Sequence, residues 1–289
     1  MTDFFTYRHL LTHTSGLDYK KFGDLSLRLI DRCLTPLLFE PGEGFVYGSE
    51  FYLPGQKNLI KFNIAGHDWA GFMIERVTGL SLESYIQQHV AAPLGITSMV
   101  FHLLSYPNLL HRLLEVSIRK DKSGPVQWTP EKVWPLDTPD ESGGSGAYAS
   151  IVEYQKILHS ITANDGILLS SSMVDELFRP EMSSSVRSSL MKILTNETTN
   201  NIYGGLPLGT QATYSIGGMV VLEDLPGRRK KGSLHWGGLL NVFWWMDRET
   251  GLSGVYGSQV LPAGDPKCLG LFAEFERKMF EAFRGEAGE

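Results

Sequence analysis

Three short segments gather the residue types that do chemistry: His9-Leu10-Leu11-Thr12-His13-Thr14-Ser15-Gly16-Leu17, then Tyr47-Gly48-Ser49 behind the turn-forming Glu40-Pro41-Gly42, then His235-Trp236-Gly237-Gly238. They bring imidazoles, hydroxyls and a phenol. His9 and His13 stand four apart on one helix face, the spacing of a zinc pair. They lack the glutamate of His-Glu-x-x-His, so no metal site is expected. Taken singly, Tyr47 fits a half-buried core tyrosine and Trp236-Gly237-Gly238 a strand ending in a hairpin turn. Thr14-Ser15-Gly16 reads as a helix terminus. Ser142 to Gly146 misses the Gly-x-Ser-x-Gly elbow because Ala147 occupies its last position. Arg228 to Lys231 reads as a solvated, basic hairpin tip.

The pattern around these segments predicts the elements that must hold them. Helices are expected over Tyr7–Thr14, Gly23–Leu34, Asp68–Val77 and Ser81–His89, the last with Ser81 as N-cap. Residues 105–141 read as an irregular excursion. Helices follow over Ile151–Asn164 and Ser172–Phe178, whereas the polar stretch 183–201 reads as loose. Strands are expected over Tyr214–Leu222, Lys231–Trp236, Val242–Asp247 and Leu252–Val260, with turns at Pro226-Gly227, Gly237-Gly238 and Thr250-Gly251. Leu269, Phe272, Phe275, Met279 and Phe283 mark a terminal helix over Pro266–Arg284. Helices, then an antiparallel meander, then a closing helix give an α+β layout.

Taken in order, the three segments resemble the serine β-lactamase-like, penicillin-binding-protein-like family, which includes class C β-lactamases, esterases and fungal polyketide acyltransferases of the lovastatin type. The His9–Leu17 string is the most specific match. The run Leu222–Ser233 with Trp244-Trp245-Met246-Asp247 resembles the fungal branch. The resemblance implies a β-lactamase/transpeptidase-like α+β fold, an antiparallel sheet flanked by helices plus a mostly helical region. It implies one incomplete domain over 1–289, mostly helical in 1–200, with strands and the closing helix in 201–289.

The same resemblance implies acyl transfer through a serine whose proton is removed with help from a lysine one helical turn later. Tyr47 matches the proton-relay tyrosine and Ser49 the third position of its motif. His235, Trp236 and Gly237 match the strand lining the substrate, and the Gly238 N–H matches an oxyanion donor. Tyr47 and the Trp236–Gly238 edge are expected to face each other across one pocket. With no fixed cation beside Trp236, an ester suits the strand better than a carboxylate-bearing β-lactam, unless His235 is protonated. The expected partner is a small-molecule acyl ester or thioester, with no cofactor, in secondary metabolism.

In this family the Ser-x-x-Lys helix lies many tens of residues ahead of the string that begins here at His9. The N-terminal strands and nucleophile helix are therefore expected to be missing, and catalysis by the chain as given is not expected. A catalytically dead, ligand-binding relative and a truncated or mis-spliced gene product are the alternatives. Ser117-Ile118-Arg119-Lys120 and Ser189-Leu190-Met191-Lys192 have the spacing, but chance supplies about one such match in a chain of this composition. Lost strands would leave an unpaired sheet edge and bare apolar faces, including that of the closing helix, and so a marginally stable chain.

Composition sets outer bounds. A net charge of −6 and a pI near 5.8 argue against nucleic acid. Two distant cysteines, Cys33 and Cys268, form neither a disulfide framework nor a zinc pattern. No run of apolar residues is long enough for a membrane span, and the first residues lack a signal-peptide pattern, so a reduced, cytoplasmic chain is expected. Glu50 to Gly66 interrupts the step from Tyr47-Gly48-Ser49 to the Asp68 helix. Codons for Ser49-Glu50-Phe51 can spell a splice donor and those for Ala65-Gly66 an acceptor, so the stretch is read as a translated intron. Sequencing the mature transcript is expected to find the codons for Tyr52 to Phe62 removed; a transcript that retains them ends this reading.

Overall fold

The computed structural model describes residues 6–18, 28–34, 36–47, 49–51, 60–62, 65–130 and 136–286. In chain order the elements are α1 (Tyr7–Leu11), α2 (Leu29–Cys33), β1 (Ser49–Phe51), β2 (Ile60–Phe62), α3 (Ala65–Thr78) and α4 (Leu82–Ile86), which runs on as a π turn over Gln87–Ala91. After a 3-10 turn come α5 (Pro107–Leu110), β3 (Ser117–Ile118) and β4 (Gln127–Trp128). Four helices follow: α6 (Ile151–Ala163), α7 (Ser171–Phe178), α8 (Ser184–Leu194) and α9 (Glu197–Ile202). The chain closes with β5 (Ala212–Ser215), β6 (Gly218–Val221), β7 (Leu234–Gly238), β8 (Val242–Asp247), β9 (Leu252–Tyr256), β10 (Val260–Leu261) and α10 (Pro266–Glu286). No described helix is long and apolar enough to cross a membrane.

Two compact units share the chain, one built from Met1–Leu113, Lys132–Glu153 and Glu181–Ser189, the other from Leu114–Glu131, Tyr154–Pro180 and Leu190–Glu289. In the first, α1 packs on α3 with Leu10 fully buried. The helices approach so closely that a Cβ on Gly66 would lie 2.1 Å from the Leu10 carbonyl oxygen, so only glycine fits there. The interrupting stretch forms the antiparallel pair β1–β2, with Glu50 opposite Lys61. Residues 52–59 lie outside the described residues, as do 19–27 of the helix expected over Gly23–Leu34. Ser81 caps α4 by accepting the Ser84 N–H at 3.1 Å, as its pattern predicts.

The second unit is a five-stranded antiparallel sheet in the order β5-β6-β7-β8-β9. Along β8, side chains alternate between its two faces. Phe243 and Trp245 meet Leu269, Phe272 and Phe280 of α10, while Trp244 and Met246 join Leu158 of α6, Val220, Leu234 and Val255. The antiparallel sheet flanked by helices agrees with the sequence expectation, but its details differ. The stretch Tyr214–Leu222 is a tight hairpin, β5–β6, because Gly217 and Gly218 turn the chain. Gly237 and Gly238 stay in strand β7, and the turn falls at 239–241, with Asn241 in the left-handed region at φ 55°. The last expected strand divides: β9 stays in the sheet, and β10 leaves it to pair in parallel with β3.

The polar stretch 183–201 is helical. Ser183 and Asn196 cap α8 and α9, and Val186, Leu190 and Leu194 form a buried stripe at helical spacing. On α10, Phe272 and Phe280 are buried, whereas Leu271, Phe275, Met279 and Phe283 are exposed.

Arg228 and Arg229 are not a solvated tip. Both guanidiniums reach Glu276 of α10, with Arg229 and Glu276 wholly buried and bonded at 2.7 Å. In the rest of the basic run, Lys230 pairs with Asp224 at the surface and Lys231 is exposed. Burial pushes the Glu276 carboxyl up, but the charges and hydrogen bonds of Arg229 and Arg228 together outweigh it and hold the group below its ordinary 4.5. Its stabilising contribution is thus present above that value and is lost as pH falls through the lowered one. Glu276→Gln leaves two guanidiniums short of their counter-charge and is expected to cost about 3–5 kcal/mol, near the figure for breaking a buried pair. Glu281→Gln, on the exposed face of the same helix, should leave the melting temperature close to that of the natural chain. Thermal unfolding of the two variants side by side checks the contrast.

Candidate functional site

Tyr47 lies in the first unit, almost buried, on the segment after the Pro41-Gly42 turn. Its ring meets the edge of the His13 ring with centroids 4.6 Å apart, and His13 lies 4.9 Å from His67 on α3. Backbone geometry puts His13 there. The helix α1 ends where the Thr12 hydroxyl donates to the Arg8 carbonyl, and His13 turns the chain in the left-handed region at φ 58°. The Val46 N–H then donates to the His13 carbonyl at 3.1 Å, which fixes the Tyr47 segment against this turn. So the His9–Leu17 string does more than end a helix: it forms the wall behind Tyr47. His9 points elsewhere, its Nδ1 accepting the Thr6 N–H. Among the described residues no cluster of metal-ligating side chains occurs.

Burial controls protonation here. It holds His13 well below 6.5, with His67 adding to the effect, and it lowers His67 to about 4. Both imidazoles are neutral at neutral pH. Next to His67, Asp68 is 1% exposed, and burial pushes its carboxyl up to about 7 against the opposing pull of two hydrogen bonds. Those bonds come from the Ser142 hydroxyl (2.7 Å) and the Gly144 N–H (3.0 Å), both to Oδ1. They fasten the glycine-rich loop to the first turn of α3, and Gly143 sits where a Cβ would be 2.6 Å from the His67 carbonyl oxygen. That is the role the structure gives Ser142 to Gly146. Ser49 begins β1 opposite Phe62, and Gly48 lies outside the described residues.

In the second unit, His235, Trp236, Gly237 and Gly238 come together along β7. The register with β6 ends at His235 opposite Met219, while Trp236, Gly237 and Gly238 lie opposite Trp244, Phe243 and Val242 of β8. The half-buried Trp236 stacks on Tyr203 (5.3 Å between centroids) and takes Tyr214 edge-on. Gly237 must be glycine: a Cβ would lie 2.8 Å from the Ile202 carbonyl oxygen. His235 points into the unit against Gly204, 1% exposed. Burial first, then the charges of Arg229 and Arg228, holds its pKa well below 6.5. It is a neutral ring behind the strand and supplies no cation.

Neither Ser-x-x-Lys spacing is built as an activated serine. Ser117 and Ile118 are in strand β3, between β10 and β4, so Lys120 is not one helical turn away. Ser189 and Lys192 do share helix α8, but Lys192 is solvent-exposed.

The β-lactamase family model matches residues 62–271, which shows that the chain belongs to the β-lactamase family; Tyr47 lies outside the matched span. The chain is 33% identical to monacolin J acid methylbutanoyltransferase of Aspergillus terreus over 300 residues, covering 96% of this chain and 68% of the relative. It is 30% identical to a lovastatin esterase of Penicillium rubens, covering 98% and 71%. A solved structure of simvastatin synthase from Aspergillus terreus, the LovD6 mutant, superimposes with a TM-score of 0.84 at 31% identity, covering 97% of this chain and 66% of that one. The chain thus spans about two thirds of the length of these proteins, and its relatives are fungal acyltransferases and esterases, as the motifs implied.

Sequence reading missed His67, which packs on the His13 ring beside Tyr47, and the buried Asp68 that follows it; an acidic residue in a first helical turn is ordinary, and its partner Ser142 lies 74 positions away. The Asp68 carboxyl, at about 7 when folded and 3.8 otherwise, keeps its proton through a window in which the unfolded chain has lost it. Its contribution is full below 3.8 and declines as pH rises through 7. Asp68→Asn can accept the same two hydrogen bonds without ionising. The variant should therefore gain on the natural chain as pH rises from 4 to 8, by at most about 4 kcal/mol at 1.36 kcal/mol per unit of pKa. Melting temperatures across that range test this, and a difference that shrinks with rising pH would show that the ionised form is the stabilising one.

Proposed function

We propose that this chain handles a small neutral acyl ester or thioester in the manner of an acyl-serine hydrolase or transferase. The observation that carries the reading is the strand edge at Trp236–Gly238. The β6 ladder ends before Gly237 and Gly238, which continue along β8, and the stack of Trp236 on Tyr203 borders them. In this reading the Gly238 N–H donates to the developing oxyanion. Trp236 and Gly237 shape the seat for the acyl group, with His235 packed behind them. Tyr47 passes the proton, and Ser49 stands beside it in the motif. The neutral His235 favours an uncharged ester over a carboxylate-bearing substrate, since burial of an anion without a counter-charge is costly. The names of the related acyltransferases and esterase support the substrate class.

The second part of the proposal concerns turnover. Among the described residues Ser117 lies in a strand and Lys192 in solvent, so neither Ser-x-x-Lys spacing supports an activated serine, and in this reading the chain binds the ester without forming an acyl-serine. Purified chain is incubated with a fluorophosphonate probe, and separately titrated with ethyl butyrate while tryptophan fluorescence is followed. The expected result is no stoichiometric label and a saturable change that Trp236→Phe alters. A label on any serine would overturn the binding-only assignment and make the chain an enzyme by itself. Absence of any saturable change would overturn the role given to the Trp236 edge.

A further inference from the structure

An oxyanion donor works only if its N–H is held where charge will appear, so whatever fixes Gly238 matters as much as Gly238 itself. The three residues after it form the β7–β8 turn, and the last of them, Asn241, is wholly buried. Its backbone N–H donates to the Gly238 carbonyl at 3.0 Å. Its side-chain amide donates to the carbonyls of Val260 (2.7 Å) and Pro262 (2.8 Å), and its Oδ1 accepts the Asp265 N–H at 3.0 Å. Both amide protons and the carbonyl are therefore used. Ser258 adds its hydroxyl to the Leu240 and Asn241 carbonyls. Asp265 in turn caps α10 through the Lys267 and Cys268 N–H groups and receives the Arg119 guanidinium at 2.7 Å. Nothing about a hairpin tip requires this; turns ordinarily lie in solvent.

We propose that Asn241 is the positioning residue of the oxyanion edge: it ties the turn after Gly238 to the 258–265 segment and the start of α10, and so fixes the Gly237 and Gly238 N–H groups. The inference rests on the role given above to Gly238. A left-handed backbone at φ 55° is a position glycine also accepts, so Asn241→Gly removes the amide without adding backbone strain. Ser258→Ala removes only the outer two bonds and serves where the first variant folds poorly.

Amide hydrogen exchange of the full chain, read residue by residue by NMR, separates positioning from general loss of stability. In Asn241→Gly the Gly237 and Gly238 amides should exchange at least about tenfold faster while those of Trp245 and Met246 in β8 change by less than about twofold, the signature of a local opening. In Ser258→Ala the effect should be smaller and confined to 237–241. The amide signal of Gly238 should move when ethyl butyrate is added to the natural chain and move less in Asn241→Gly. Equal acceleration at Gly238 and Trp245, or none at Gly238 in both variants, would overturn the proposal. A natural chain whose Gly238 signal ignores the ester, but whose variant still opens locally, would instead overturn the ester-binding role while leaving the positioning by Asn241 in place.

Discussion

The constraint on which the second unit depends is that its sheet is buried on both faces. The alternation along β8 sends Phe243 and Trp245 to α10 and Trp244 and Met246 toward α6. Once both faces are covered, a side chain buried on β7 or in the β6–β7 connection that is not apolar must be neutral or paired. His235 takes the first course, and Arg228 and Arg229 take the second by sharing Glu276. The charge content of the strand end thus follows from packing. Two guanidiniums on one carboxylate leave a net positive charge nearby, and that charge is one of the forces holding His235 unprotonated.

Burial does the same work in the first unit with a different result. His13, His67 and Asp68 are all pushed toward their uncharged forms, the bases downward and the acid upward. Between about 4 and 6.5, acidification costs stability at His67, because the unfolded chain takes up a proton that the folded one refuses. Over much of the same window Asp68 changes stability in the opposite sense, since the folded chain keeps a proton the unfolded one has released. The two slopes offset, and both groups are uncharged together only between about 4 and about 7.

How much was legible in the sequence depended on the range of the interaction. Caps, turns and periodicity are local, and the Ser81 cap, the strand over Val242–Asp247 and the existence of α10 were read correctly from them. The helices α8 and α9 were legible in principle, since Ser183 and the Val186, Leu190, Leu194 stripe were present, but serines and threonines between them concealed the pattern. The fate of Arg228 and Arg229 was not legible. Their partner lies 47 or 48 positions away, on a helix whose register against the sheet no local rule fixes. Asp68 and Ser142 are a similar case. The motif residues were singled out through a family resemblance, which encodes long-range geometry that spacing does not; His235 was singled out in the same way, but its burial needed coordinates.

That burial bears on what a strand of this kind can recognise. A substrate carboxylate approaching Trp236 would have to shed water, and Arg228 and Arg229 are already bound to a buried carboxylate, while Lys230 is paired with Asp224. Withdrawing Arg229 would break a wholly buried pair at a cost of about 3–5 kcal/mol, and withdrawing Arg228 would give up its two hydrogen bonds to Glu276. An ester carbonyl makes no such demand. Its oxygen needs donors only as charge develops, and a backbone N–H held in place by a buried turn supplies that with little reorganisation. Under the proposed function, the fixed turn and the neutral histidine both suit a ligand group that is uncharged when it arrives.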